Sequence, residues 1–211
     1  LFLSFTADGT APLGLAFFIT IIFVSALGFN LNSTEFRIVG PSLIWSTTLL
    51  SVLVSAKNLI QDDFRDGSLD VLLISPIPLE LIIILKAVAH WIAVCCPIIL
   101  TSPFLSILFN ISSDQMYLLI ISLIIGTPAL SFIAIFGASL TFSLKRSGIL
   151  MPIIIMPFYI PTLVFGVKIV NFSYHEANYS RDGLLILIAI TLLSLAIVPF
   201  AASMGVKSSL R

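Results

Sequence analysis

The stretch Leu81–Phe109, LIIILKAVAHWIAVCCPIILTSPFLSILF, decides the fold class of this chain. It is longer than the roughly 20 residues that a helix needs to cross the hydrocarbon core of a bilayer, and Lys86 is its one charged side chain. Similar apolar runs recur along all 211 residues, of which 59% are hydrophobic and 9% are charged. A soluble domain of this size needs far more polar surface. The chain is therefore predicted to be an integral membrane protein.

Apolar runs bounded by charges and turn residues predict an all-α membrane protein, a six-transmembrane-helix bundle in one domain covering residues 1–211. The predicted spans are 13–29, 40–56, 81–109, 117–143, 149–168 and 183–203. Prolines within a span remove backbone donors and tend to bend the helix. We therefore expect irregular or kinked helices at Gly126, Pro128, Pro152, Pro157 and Pro161.

An even number of spans places both termini on one side of the membrane, and the basic residues indicate which side. Seven Lys and Arg residues fall on or near the side of the termini, and three fall on the other. The first group is Lys57, Arg65, Lys86, Lys145, Arg146, Lys207 and Arg211, and the second is Arg37, Lys168 and Arg181. Because cytoplasmic loops are enriched in Lys and Arg, both termini are predicted to be cytoplasmic.

The loop between spans two and three, residues 57–80, concentrates charge in QDDFRDGSLD, Gln61–Asp70. The Asp-Gly pair in its middle is a turn signal, and Ser68 is a suitable N-cap for a following helix. Pro76 should end that helix at about Ser75. The loop is therefore predicted to form a cytoplasmic helix–turn–helix with an acidic outer face and an apolar inner face.

This loop is either a solvated segment that marks the water boundary or a docking site for another protein. Anionic lipid would repel its acids, so anchoring to the membrane surface is a poor explanation. Phe64, Leu69, Leu72 and Leu73 lie among the charges, and an aromatic anchor with a charged rim is typical of protein interfaces. The chain has no G-x-x-x-x-G-K-[ST] sequence to cradle phosphate. We interpret it as the membrane subunit of an ATP-driven transporter, whose separate ATPase docks on the loop.

Several motifs resemble the family of cytochrome c maturation protein B, the CcmB or heme exporter protein B family. They are QDDFRDGSLD, SPIP, LKAVAHW at Leu85–Trp91, GTPALSF, and LKRSG at Leu144–Gly148. The resemblance implies an ABC-type permease subunit with a cytoplasmic coupling helix, in a bacterial inner membrane, with the mitochondrial inner membrane as the alternative. It implies three partners: an ABC ATPase (CcmA-like) that binds ATP, a heme-handling membrane protein (CcmC-like) and a heme chaperone (CcmE-like). Heme would either pass through this chain or leave on the chaperone when ATP is used.

The resemblance also implies which residues face the ATPase. These are Asp62, Asp63, Phe64, Arg65, Asp66 and Gly67, and the predicted docking site includes the flanking Gln61 and Ser68. Family members usually open with a basic amphipathic helix, whereas LFLSFTADGTAP at the start of this chain has no Lys or Arg. We expect either a truncated N-terminus or a reduced interfacial element.

Lys86 and His90 are four residues apart and share one face of the third span. Ionisable groups inside a membrane are costly and often functional, and an imidazole nitrogen can ligate heme iron. The alternative is that His90 bonds a neighbouring helix while Lys86 extends to the cytoplasmic interface. We favour this alternative, because one histidine with no paired ligand is a poor heme site.

Other classes of function find less support in the residues. No serine–histidine or paired-carboxylate constellation is legible within the spans, so no catalytic residue, metal site or enzyme activity is predicted. No acid lies within a predicted span, which argues against a stand-alone secondary carrier coupled to protons or sodium. Nucleic-acid binding is excluded, because no basic cluster exceeds Lys145-Arg146. The carrier and a membrane heme-binding protein using His90 stay as the alternatives.

Overall fold

The computed structural model describes residues 10–28, 34–144, 147–171 and 177–209. Within these ranges every regular element is a helix, because a bilayer offers the backbone no water to bond. The helices are α1 Thr10–Gly28, α2 Thr34–Ala56, α3 Gln61–Arg65, α4 Ser68–Leu73, α5 Leu79–His90, α6 Cys96–Leu108, α7 Ser113–Thr141, α8 Ser147–Asn171 and α9 Ala177–Ser209. A π-helical turn, Trp91–Cys95, joins α5 to α6. The predicted all-α membrane fold is confirmed.

Some residues used in the sequence interpretation lie outside the described ranges. They are residues 1–9, which hold most of the N-terminal stretch without basic residues, and three of the residues that orient the chain, Lys145, Arg146 and Arg211.

Five helical stretches are long and apolar enough to cross a bilayer, and they correspond to predicted spans two to six. They are Ile38–Arg65, Leu79–Leu108, Ser113–Thr141, Gly148–Asn171 and Arg181–Ser209. The first predicted span corresponds to a shorter apolar helix, Pro12–Gly28. The predicted count of six is therefore not exactly matched: five helical stretches reach full length, and the helix at the first predicted span is shorter. The last helix passes the predicted end at 203 because hydropathy marks the hydrocarbon boundary, whereas backbone hydrogen bonds continue the helix beyond it.

Helix α7 is the centre of the bundle and packs against α2, α5, α8 and α9. In the most apolar 18-residue stretch of α7, 67% is buried inside the bundle. The corresponding share for α9 is 28%, so α9 mainly faces outward. Small side chains let helix backbones approach closely, and such packing drives helix association in lipid. The small buried residues of α7 include Gly126, Thr127, Ala129, Ser131, Ala134, Gly137, Ala138 and Ser139.

Trp45 of α2 is fully buried between α7 and α8. It lies against two glycine backbones: a Cβ at Gly126 would come within 2.6 Å of the Trp45 ring, and a Cβ at Gly166 would overlap it. The indole Nε1 donates to Ser122 Oγ at 3.1 Å, which satisfies the polar end of the ring. Glycine at both positions is therefore what allows α2, α7 and α8 to meet at this point.

The prolines of α8 do not divide that helix. It continues without interruption through Pro152, Pro157 and Pro161, and bending at these positions stays a prediction.

A departure from α-helical geometry occurs at Trp91–Cys95, directly before the Cys96-Pro97 pair. A proline ring clashes with the carbonyl four residues earlier, and here that carbonyl belongs to the wider π-helical turn.

Helix α7 is likewise continuous through Pro128, and bending at Gly126 and Pro128 also stays a prediction. Thr191 Oγ1 of α9 donates to the carbonyl of Ile125, in the turn that precedes this proline, at 2.8 Å. Donors from neighbouring helices are one way in which membrane bundles tolerate proline.

Candidate functional site

The acidic loop folds as the predicted helix–turn–helix; we call residues 61–74, which comprise α3, α4 and the C-cap residue Ile74, the elbow. Its sharp turn is at Gly67, which has a φ of 77° in the left-handed region. Asp66 Oδ1 accepts a hydrogen bond from Ser68 N–H at 2.9 Å. This hydrogen bond to its charged form lowers the pKa of the Asp66 carboxyl. The Asp-Gly pair therefore supplies both the turn and the cap of α4.

Two details of the predicted loop are corrected. Ser68 is the first helical residue of α4, and Gly67 occupies the N-cap position. The Ser68 N–H, one of the N–H groups that a helix start leaves without a helical partner, donates to the Asp66 carboxylate. Helix α4 ends at Leu73, earlier than the predicted Ser75, whose hydroxyl instead donates to the carbonyl of Leu72 at 2.8 Å.

We expect Gly67→Ala to destabilise the elbow by roughly 1 kcal/mol, because a Cβ at positive φ clashes with its own backbone. Apart from the two chain neighbours, no atom of the described residues lies within 4 Å of such a Cβ, so the expected effect comes from backbone strain. Hydrogen exchange of the purified protein should become faster in residues 61–74. Gly67→Asn is the matched control, and it should exchange nearly as slowly as wild type because asparagine tolerates this conformation. Wild-type exchange in Gly67→Ala would contradict the expectation.

The inner side of the elbow is tied to the membrane bundle by two different contacts. Asp63 of α3 forms an ion pair with Lys86 of α5, whose Nζ also donates to the carbonyl of Leu59 at 3.3 Å. Phe64 meets Phe142, just beyond the end of α7, edge to face with ring centroids 5.1 Å apart. The elbow is thus held against both α5 and the end of α7.

Two residues of the predicted docking set turn towards the bundle, and the docking role of the set stays a prediction. Gln61 is only 8% exposed, and the carboxylate of Asp63 faces Lys86, so neither belongs to the outer face. The reason is geometric: α3 has five residues, little more than one turn, and one side of that turn must face the bundle. The exposed residues between 61 and 77 are Phe64, Arg65, Asp66, Gly67, Asp70, Val71, Ile74, Pro76 and Ile77.

His90 is buried where α5 crosses α2 and α7, and both of its ring nitrogens are hydrogen-bonded. Nε2 lies 2.9 Å from Ser55 Oγ, and Nδ1 lies 3.2 Å from Ser131 Oγ. The Ser55 hydroxyl also lies 3.0 Å from the carbonyl of Val52, to which it can donate. When it donates there, Nε2 carries the ring hydrogen and Nδ1 accepts from Ser131.

His90 therefore bonds two neighbouring helices, as in the favoured alternative, and the cytoplasmic placement of Lys86 stays a prediction. A neutral imidazole that ligates iron needs one free nitrogen. Here the serine hydroxyls occupy both, so iron ligation would require one of these hydrogen bonds to break. Lys86 reaches away from His90, to the elbow.

Two more side chains beside His90 bond to α7. Trp91 Nε1 donates to Thr127 Oγ1 at 2.9 Å, and Cys95 Sγ lies 3.6 Å from Ser131 Oγ. We call this group the polar seam; it comprises Ser55, His90, Trp91, Cys95, Thr127 and Ser131. Sequence reasoning missed the seam as a unit. Thr127 and Ser131 are four residues apart and would have signalled a polar stripe on α7, but nothing in the sequence shows which helix packs against it.

An apolar groove of about 340 Å³ lies between α7, α8 and α9. Pro157 and Pro161, two of the predicted kink positions, contribute to its lining together with Phe136 and Phe158. The groove is open on one side and shares no lining residue with the polar seam.

Comparisons with known proteins give one consistent result. The family described as CcmB protein matches residues 1–209. Heme exporter protein B of Rhodobacter capsulatus is 37% identical over 209 residues, covering 99% of this chain and 95% of the relative. The protein of the same name from Paracoccus denitrificans is 37% identical over 205 residues, covering 97% and 94%. That of Escherichia coli K12 is 30% identical over 196 residues, covering 92% and 88%.

Proposed function

Because this chain belongs to the CcmB protein family, we propose that it is the non-catalytic membrane subunit of an ATP-driven complex for heme export during maturation of c-type cytochromes. Heme is the cargo, as the name heme exporter protein B says of the relatives. An ABC ATPase on a separate chain hydrolyses ATP, and a CcmC-like protein and a CcmE-like chaperone handle the heme. The complex lies in a bacterial inner membrane, with both termini of this chain cytoplasmic.

The observation that carries this proposal is the two-sided construction of the elbow. Its outer side exposes apolar and acidic groups together: Val71 is 64% exposed and Ile74 is 85% exposed, next to Asp70. Its inner side is fixed by an ion pair and an aromatic contact. A loop that only marks the water boundary needs neither feature, whereas a surface that receives force needs both.

The contacts of the elbow suggest how movement of an ATPase reaches the membrane. Helix α3 follows closely after the end of α2, its Asp63 is paired with Lys86 of α5, and its Phe64 touches Phe142. A displacement of the elbow is therefore passed to α2, α5 and the end of α7 at once. Rigid-body shifts of this kind are a common form of conformational coupling.

We expect the double change Asp70→Lys/Ile74→Lys to abolish co-purification of the ATPase with this chain. It places two positive charges on the outer face of the elbow and leaves the Asp63–Lys86 and Phe64–Phe142 contacts intact. The test is affinity purification from detergent, together with cytochrome c maturation in a bacterial strain whose own heme exporter protein B is deleted. Both should fall at least tenfold, while the amount of inserted protein stays constant.

The matched control is Asp114→Lys, which reverses an exposed acid on α7 at the end remote from Thr141 and the elbow. It should leave co-purification and maturation unchanged. If the elbow variant keeps its ATPase while maturation also proceeds, the docking role of this surface is wrong.

A further inference from the structure

The third span is built from two helical segments that are attached to the bundle in different ways. Side chains of α5 bond outward: Lys86 reaches the elbow, and Glu80 Oε1 lies 3.5 Å from Lys207 Nζ of α9. The hydroxyls of α6 bond inward to their own helix, as when Thr101 donates to the carbonyl of Pro97 and Ser106 to that of Ser102. Polar side-chain contacts with neighbouring elements thus concentrate on α5.

The two segments meet at the π-helical turn Trp91–Cys95. A π turn interrupts the regular α-helical hydrogen-bond ladder, and such turns are frequent at functional sites and at helix kinks. Helix α1 packs against the turn Trp91–Cys95. A Cβ at Gly14 of α1 would lie 3.4 Å from Val94 Cγ1 in the turn and 3.2 Å from Ser55 Cβ of α2. Ala93, Val94 and Cys95 of the turn are buried, so a change of angle there moves α5 against its neighbours.

His90 occupies the last position of α5, immediately before the turn. Its two hydrogen bonds, to Ser55 of α2 and Ser131 of α7, are the polar contacts that hold this end of α5 to both neighbours. Ser55 and Ser131 belong to different helices, so one side chain fixes the position of α5 relative to two elements.

We propose that α5 moves as a unit about the turn Trp91–Cys95, and that the hydrogen bonds of His90 to Ser55 and Ser131 are the latch that holds it in the position described. This inference deepens the proposed function. Only the link between the latch and the ATPase rests on that proposed function; the movement of α5 does not. Force on the elbow reaches α5 through Lys86, one turn before His90. His90 is in this account a positioning residue, and it does not touch the cargo.

Paired spin labels test the latch in the purified chain without an ATPase. One pair joins Leu85→Cys of α5 to Ile149→Cys of α8, and a reference pair joins Ile107→Cys of α6 to Tyr117→Cys of α7; all four positions are exposed. Half-buried Cys96 is changed to Ala, and buried Cys95 is retained.

In His90→Leu we expect the α5–α8 distance distribution to shift or broaden by about 2 Å, the size of typical helix shifts. The reference pair should not change.

Ser131→Ala keeps the test informative if His90→Leu does not fold, because it removes one hydrogen bond with little change in volume. It should shift the α5–α8 pair in the same direction by a smaller amount. Ser106→Ala, which removes a hydroxyl bonded within α6, is the matched control and should shift neither pair. Unchanged α5–α8 distributions in His90→Leu, or in Ser131→Ala where the first does not fold, would overturn the proposal. So would an equal change in the reference pair.

A second measurement connects the latch to the ATPase. In the complete complex, a non-hydrolysable ATP analogue should move the wild-type α5–α8 distribution towards that of His90→Leu. A complex without any ATPase would refute the proposed function and leave the measurements on the isolated chain standing. An analogue that shifts the pair away from the His90→Leu distribution would overturn the latch while leaving the proposed function intact.

Discussion

Gly166→Leu should prevent the bundle from closing around Trp45 and should lower the midpoint of thermal unfolding in detergent by about 10 °C. A Cβ at position 166 already overlaps the indole ring and comes within 2.9 Å of Trp45 Cδ2. Trp45 is fully buried and has Gly126 on another side, so it has no space into which to move. Overpacking of this kind costs about 3 kcal/mol when backbones must separate. Thermal unfolding followed by tryptophan fluorescence would measure the change.

Gly28→Leu is the matched control for this experiment. Gly28 ends α1, and among the described residues no atom outside its own stretch of helix lies within 4 Å of a Cβ built there, so the same substitution should leave the unfolding midpoint within about 2 °C of wild type. The change Trp45→Leu, added to Gly166→Leu, should restore part of the lost stability by removing the ring that the new side chain meets. A midpoint unchanged in Gly166→Leu would show that Trp45 does not hold α2, α7 and α8 together.

Asp63→Lys should reduce cytochrome c maturation at least tenfold while the ATPase still co-purifies. The change places a second cation against Lys86 and replaces the ion pair with repulsion. Both side chains are partly exposed, so we expect a loss of roughly 1–3 kcal/mol, below the cost of breaking a fully buried pair. The outer face of the elbow is not altered, so docking should persist while the coupling of α3 to α5 is lost.

The charge exchange Asp63→Lys/Lys86→Asp is the decisive control. It restores opposite charges at the same two positions and should recover a large part of the maturation activity. The hydrogen bond from Lys86 to the carbonyl of Leu59 is not restored, so recovery should be incomplete. Full activity of Asp63→Lys alone, or loss of the ATPase in that variant, would contradict the assignment of Asp63 to the inner side.

The elbow shows what a local pattern can predict. The pair Asp66-Gly67 predicted a turn, because glycine adopts a positive φ and aspartate bonds the backbone two residues on, and the turn lies at that position. The same stretch did not reveal that Gln61 and Asp63 face the bundle. Their orientation depends on Lys86, which lies 23 residues further along the chain than Asp63 and on another helix.

The polar seam shows the same limit inside the membrane. The sequence indicated that a histidine in a span needs a partner, since an unsatisfied polar group in hydrocarbon is costly. Many serine and threonine residues in the spans are eligible partners. Packing of α5 between α2 and α7 selects Ser55 and Ser131 from among them.

The residues alone determined that this chain is helical, that it lies in a membrane, and where a charged segment interrupts its apolar runs. These properties follow from burial of apolar side chains and from backbone hydrogen bonding, which act over a few turns of chain. The tertiary structure decided which side of the elbow faces outward, how Trp45 fits between two glycines, and which hydroxyls hold His90. Each of these depends on contacts between helices that are distant in sequence, and the repeated apolar residues of the spans do not distinguish one neighbour from another.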